Sequence, residues 1–194
     1  MFKAEKILWG EGLFLRPQYF QLQDTYHEQR LNQTIRATVP FAYGVEKIRF
    51  DETQLSTQIL ALEHIEMIWQ DGELYSAPAR DLLPEPVQLD NLNLRGEIQV
   101  YLALPILQAH KKNVADDDTR QASRYHSYLN ETHDLFTSAP PAEITQLRRR
   151  AEFRLLEADA NPNHDLDGFL YLPVGKIKRQ SSGSFELDYK FIPP

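Results

Sequence analysis

Apolar and polar positions alternate most cleanly from Glu97 to Leu104, where Ile98, Val100, Leu102 and Leu104 are interleaved with Gln99, Tyr101 and Ala103. A period of two sends one set to one face of a strand, so this segment predicts a core strand. The same period recurs from Ser184 to Phe191, with Phe185, Leu187, Tyr189 and Phe191 on one side, and predicts a half-buried antiparallel strand. It follows a strand at Gly168–Ile177 through the turn Ser181-Ser182-Gly183. Upstream, Pro40 and Gly44 turn the chain into a strand at Val45–Phe50. Gln58–Gln70 is rich in Ile, Leu and aromatic residues, and Asp71-Gly72 reads as a hairpin turn into Glu73–Ala77. Pro78, Pro84 and Pro86 suit an irregular crossing between sheets or an exposed loop. The polar stretch after Pro105, with Lys111, Lys112 and Asp116 to Asp118, reads as a mobile connection. Tyr125–Leu129 and His133–Phe136 are shorter strand candidates before Pro140-Pro141. Glu143–Ala158 fits two periods, a helix through Ile144, Leu147, Ala151 and Leu155 or a strand through Leu147, Ala151, Phe153 and Leu155. Many short strands with no strand-helix repeat predict an all-β fold, a β-sandwich or related barrel.

The first part of the chain departs from this pattern. From Ile7 to Leu15, Ile7, Leu8, Trp9, Leu13, Phe14 and Leu15 cluster around Gly10 and Gly12. So apolar a leader is expected to dock on the following sheet or on another chain. Pro17 opens a short amphipathic helix, with Tyr19, Leu22 and Tyr26 at helical spacing, that ends between Arg30 and Thr38. Hook and helix together take up about residues 1–38. Trp9, Phe14, Tyr19, Phe20 and Tyr26, with Arg16, admit two readings: each packs onto the sandwich, or the segment anchors a protein interface. Taken whole, the segment reads as an interface formed by Trp9, Leu13, Phe14, Leu15, Arg16, Pro17 and Phe20.

The string WGEGLFLRPQYFQLQD from Trp9 to Asp24 resembles the N-terminal signature of the TssK family, the trimeric baseplate component of bacterial type VI secretion systems. VYLALP from Val100 to Pro105, DLDGFLYLPVGKI from Asp165 to Ile177 and LDYKFIPP from Leu187 to Pro194 support it in the expected order. Tyr19 stands where many members carry His, so no imidazole chemistry is expected there. The resemblance implies a fold like the shoulder of phage receptor-binding proteins, and it favours strand over Glu143–Ala158. It implies that residues 1–194 are a single N-terminal domain, with the family's helical middle and C-terminal domains absent. It further implies a non-enzymatic adaptor in a homotrimer, attached through this domain to the TssF and TssG wedge proteins. The absent portion would reach the membrane complex, placing the protein in the cytoplasm at the inner face of the cytoplasmic membrane. The same phage relationship suggests a rival, a carbohydrate-binding module using exposed Trp and Tyr faces such as Trp9 and Trp69.

Composition narrows the chemistry. The 42% hydrophobic content over 194 residues suffices for one core. No apolar stretch is long enough to span a bilayer, and no signal peptide is expected. The absence of cysteine removes disulfides, thiolate metal sites and cysteine nucleophiles. A net charge of -7 opposes general nucleic-acid binding. The basic run Arg148, Arg149, Arg150 reads first as a solvated cluster and second as the counterpart of a local acidic group. The six histidines, His27, His64, His110, His126, His133 and His164, show no helical zinc spacing. Asn163–Gly168 imitates the start of a calcium loop, but Val174 stands where a closing glutamate belongs, and a turn bonding its own backbone is expected. There is no G-x-S-x-G elbow and no glycine-rich phosphate loop, while carboxylate pairs are not identifiable from spacing. Neither a metal nor a cofactor is expected.

Overall fold

Pro17 fits the first turn of a helix because its missing N–H would have no partner there, and α1 runs from it to Thr38. The computed structural model describes residues 3–90, 92, 96–115, 122–180 and 183–194. After α1 come β1 (Gly44–Phe50), the short helix α2 (Glu52–Ser56), β2 (Ile59–Leu60), β3 (Leu62–Ile68) and β4 (Leu74–Ala77). Then follow β5 (Val87–Gln88), β6 (Glu97–Pro105), β7 (Tyr125–Thr132), β8 (Ala142–Arg149) and β9 (Glu152–Glu157). The helical turn α3 (Pro162–Asp165), β10 (Phe169–Arg179) and β11 (Phe185–Leu187) complete the order.

Two antiparallel sheets enclose one apolar core. One has the order β1-β3-β4, the other β11-β10-β6-β9. Ile65, Met67 and Trp69 project from the first, and Ile98, Val100, Leu102 and Leu104 from the second, at the predicted two-residue period. This is the expected all-β class, with a helix carried at its N-terminal end. Two smaller pairs, β2-β5 and β7-β8, lie outside the main sheets. Gly175 sits where a side chain would collide with Phe50 of the facing sheet, so the two layers touch there through a bare backbone.

Several segments differ from the sequence reading. The N-terminal helix ends at Thr38, within its expected bounds, but none of its residues is buried. Glu143–Ala158 is extended, yet it is two strands in different sheets. Between them Leu82 crosses the chain, its amide donating to the Arg149 carbonyl at 2.8 Å, and Ala151 enters the core. His133–Phe136 is a turn, because the Asp134 carboxylate accepts from the amides of Phe136 and Thr137 at 2.7 and 2.8 Å and competes with any ladder. The last strand is cut to Phe185–Leu187, since Asp188 accepts from Lys190 and Phe191 and bends the chain. The acidic run Asp116 to Asp118, and Ser181 and Ser182 of the expected turn, lie outside the described residues.

Candidate docking ridge and the charged seam beneath it

The N-terminal hook folds back along α1 and does not dock on a sheet, the first of the two places expected for it. Its Ala4 amide donates to Gln29 Oε1 at 3.0 Å, and the Trp9 ring lies 6.0 Å from the Tyr19 ring. Ten helical residues span about 15 Å, and five extended residues reach about as far, so the two runs match in length. The apolar side chains therefore stay outside. Phe14 is 80% exposed, and Leu8, Trp9, Leu15, Phe20 and Leu22 are also exposed. Leu13 is half-buried. Arg16 occupies the N-cap with extended backbone and makes no capping bond through its side chain, and Pro17 follows at the first helical position. Trp9 and Tyr19 are brought together, while Leu13, Phe14, Leu15, Arg16, Pro17 and Phe20 follow in sequence around the helix start. A second group of exposed apolar residues, Leu31, Ile35, Val39 and Phe41, marks the other end of the helix.

Midway along, α1 rests over the β3–β4 turn. Gly72 has φ of +90°, a left-handed conformation, and a Cβ there would run into the Asn32 side chain. Below this contact is a seam of charge that the sequence pattern did not disclose. Arg124, 2% exposed, donates to Asp71 Oδ2 at 2.6 Å and to the Pro105 carbonyl at 3.0 Å. Arg149 pairs with Glu73 and lies 3.6 Å from the buried Asp81, whose other oxygen accepts from the Ser76 amide at 3.1 Å. Arg150 pairs with Glu85, and Arg148 stacks over the Tyr128 ring at 4.0 Å. The arginine run thus meets local acidic partners at two of its three positions, correcting the solvated-cluster reading. Only tertiary contacts bring residues 71–85 beside residues 148–150.

Glu28 of α1 lines two clefts at this seam, of about 520 and 170 Å³, together with Glu73. Its partial burial, and then the Glu73 charge, hold its carboxyl above the usual range. Tyr75 is buried against Trp69, its hydroxyl donates to the Leu82 carbonyl, and burial pushes its pKa up. Trp69 is fully buried, so it offers no face to a sugar, contrary to the carbohydrate-binding expectation. The calcium-like stretch is a turn: Asn161 caps α3 by accepting from the Asn163 amide at 3.1 Å, and Asn163 accepts from the Tyr171 hydroxyl. Among the described residues no three or more His, Cys, Asp or Glu side chains are grouped for a metal ion. Among the described residues, no helix is long and apolar enough to cross a membrane.

Two facing β-sheets, with a long helix and an apolar hook carried outside their core, define a β-sandwich structural domain. Residues 19–194 match the family described as Bacterial Type VI secretion, VC_A0110, EvfL, ImpJ, VasE, and the chain belongs to that family. A curated relative, type VI secretion system baseplate component TssK1 of Pseudomonas aeruginosa PAO1, is 28% identical over 97% of this chain. The crystal structure of TssK superposes with a TM-score of 0.83 at 29% identity over 98% of the chain. A chain of the TssK-TssF-TssG baseplate subcomplex gives 0.85 at 26% identity over all of it. The present chain spans 41% of the curated relative and 42% and 62% of those two structures.

Proposed function

We propose that this chain acts as a structural adaptor of a type VI secretion baseplate, attaching a TssK-like trimer to the TssF and TssG wedge proteins. The observation that carries the reading is the ridge on the hook and helix start, where Trp9, Phe14, Leu15 and Phe20 are exposed apolar side chains beside the half-buried Leu13 and next to Arg16 and Pro17. Large apolar groups left outside a core indicate a surface that another protein covers, and aromatic and Arg side chains are those that most often anchor such surfaces. The likeness to a chain of the TssK-TssF-TssG baseplate subcomplex supports the choice of partner. The action is binding without turnover. In the longer protein, three copies would add weak contacts through effective concentration, and a portion beyond residues 1–194 would reach the membrane complex from the cytoplasmic side.

Co-purification with TssF and TssG from the same source, with light scattering to count copies, tests the reading. A stable complex that is lost in Phe14→Ala and Arg16→Ala variants with unchanged thermal stability is expected. Absence of a complex both with this chain and with its longer protein would overturn the assignment.

A further inference from the structure

The β7–β8 ribbon stands apart from both main sheets and ends in an exposed tip carrying Leu135 and Phe136, the latter 94% exposed. A two-stranded ribbon with no third strand is marginal in water, and its free edges offer unpaired backbone groups. The direction of those groups follows from contacts at the ribbon's base. The Arg149 amide donates to Asp81 Oδ1 at 2.9 Å and its carbonyl accepts from Leu82, both on the side of β8 away from β7. Likewise the Tyr125 amide and carbonyl bond to Asn113 and Ala115 on the far side of β7. Tyr125 and Arg149 are register partners, so they form a non-hydrogen-bonded pair. Stepping by two along β8, the N–H and C=O groups of Leu147, Thr145 and Glu143 also point outward. No described backbone segment meets them.

The side chains of these residues share one face with their partners Ser127, Leu129 and Glu131. Leu129 and Leu147 are exposed there. Beyond them, Glu131 lies directly opposite Glu143. Opposed like charges at a non-hydrogen-bonded position, where side chains are closest, weaken a ribbon, and a cation from outside would relieve them.

We propose that the outer edge of β8, from Glu143 to Leu147, is completed by an extended segment of the wedge, which places a Lys or Arg beside Glu143 and Glu131. The same segment sets an apolar side chain beside Leu147 and Leu129, four positions away. The Leu82 bridge to Arg150 already adds a strand-like contact at the base of this edge, and the added segment continues that line toward the tip. The choice of occupant rests on the wedge reading above; the edge and its charge pattern do not.

The test uses the co-purified complex. Thr145→Pro removes one outward donor while leaving the bonds between β7 and β8 intact, and Glu143→Lys replaces the repulsive pair by an attractive one. Each variant is expected to weaken binding by about tenfold or more. Glu143→Lys is expected at the same time to raise the thermal midpoint, which a merely structural role for Glu143 would not combine with lost binding. Hydrogen exchange at the amides of Glu143, Thr145 and Leu147 should slow on complex formation. A stable complex with unprotected amides and unweakened variants overturns the edge inference and leaves the adaptor reading standing. Failure of every form of the chain to bind the wedge removes both.

Discussion

Gly72 shows how one residue is held by two demands at once. It closes the β3–β4 turn with φ of +90° and lies directly under Asn32 of α1. Gly72→Ala is expected to cost about 1–3 kcal/mol, from a non-glycine residue in a left-handed conformation, read as a lower midpoint in denaturant. Arg149 is the complementary case of charge. Removing it by Arg149→Met would leave Glu73 and the buried Asp81 without their cation, at a cost of about 3–5 kcal/mol if the pair behaves as a buried one. Arg149 is about a quarter exposed, so the lower end of that range is expected. Neither role was legible in the sequence. The sequence shows Gly72 only as part of a hairpin turn, and the arginine run only as a solvated cluster or the counterpart of some acidic group, because the actual partners lie far away along the chain.

At the scale of elements, α1 is loosely tied to the sandwich. It buries no residue, and its contacts with the body pass through Asn32, Glu28 and the clefts beside the charged seam. Such an element opens more easily than core strands. Because the Glu28 carboxyl is held above its ordinary pKa, the folded state binds its proton more readily than the unfolded chain does. Its unfavourable contribution is therefore present above the folded pKa and is relieved as pH falls through that value toward the unfolded one. Glu28→Gln should slow amide exchange in α1 at neutral pH, with the difference from the parent shrinking on mild acidification. An equal difference at every pH would show that charge at Glu28 does not set how firmly the helix is seated.

The two ends of β8 extend the contrast. At its base, backbone groups are taken by Leu82 and Asp81, and the chain passes into the core at Ala151; toward its tip, among the described residues, the same strand has only β7 beside it. Periodicity left helix and strand both open there, the family resemblance favoured strand, and neither gave a sign of the break at Arg148, Arg149 and Arg150.

For the whole molecule, adaptor function predicts a dependence on copy number. Binding of one domain to the wedge should be much weaker than binding of a trimer presenting three, by a factor on the order of 10² or more when geometry permits simultaneous contact. Titrating monomeric and trimeric forms against the wedge in one buffer checks this, and equal affinities would remove avidity from the mechanism. The net charge of -7 gives the encounter an ionic-strength dependence whose sign reports the wedge surface: binding that weakens with salt indicates a basic contact.

The sequence by itself determined the alternating strand at Glu97–Leu104, the β3–β4 hairpin, the start of α1 and the family. Each of these is written locally, in a two-residue period, an Asp-Gly pair, a proline at a helix start or a contiguous motif. The tertiary structure alone decided that the hook lies along α1 instead of on a sheet and that Trp69 is sealed in the core. It alone decided that Arg149 meets Glu73 and Asp81 across the fold, and that no described segment pairs with the outer edge of β8 toward its tip. Those outcomes depend on which distant surfaces compete for the same contact, and a local pattern carries no term for that competition.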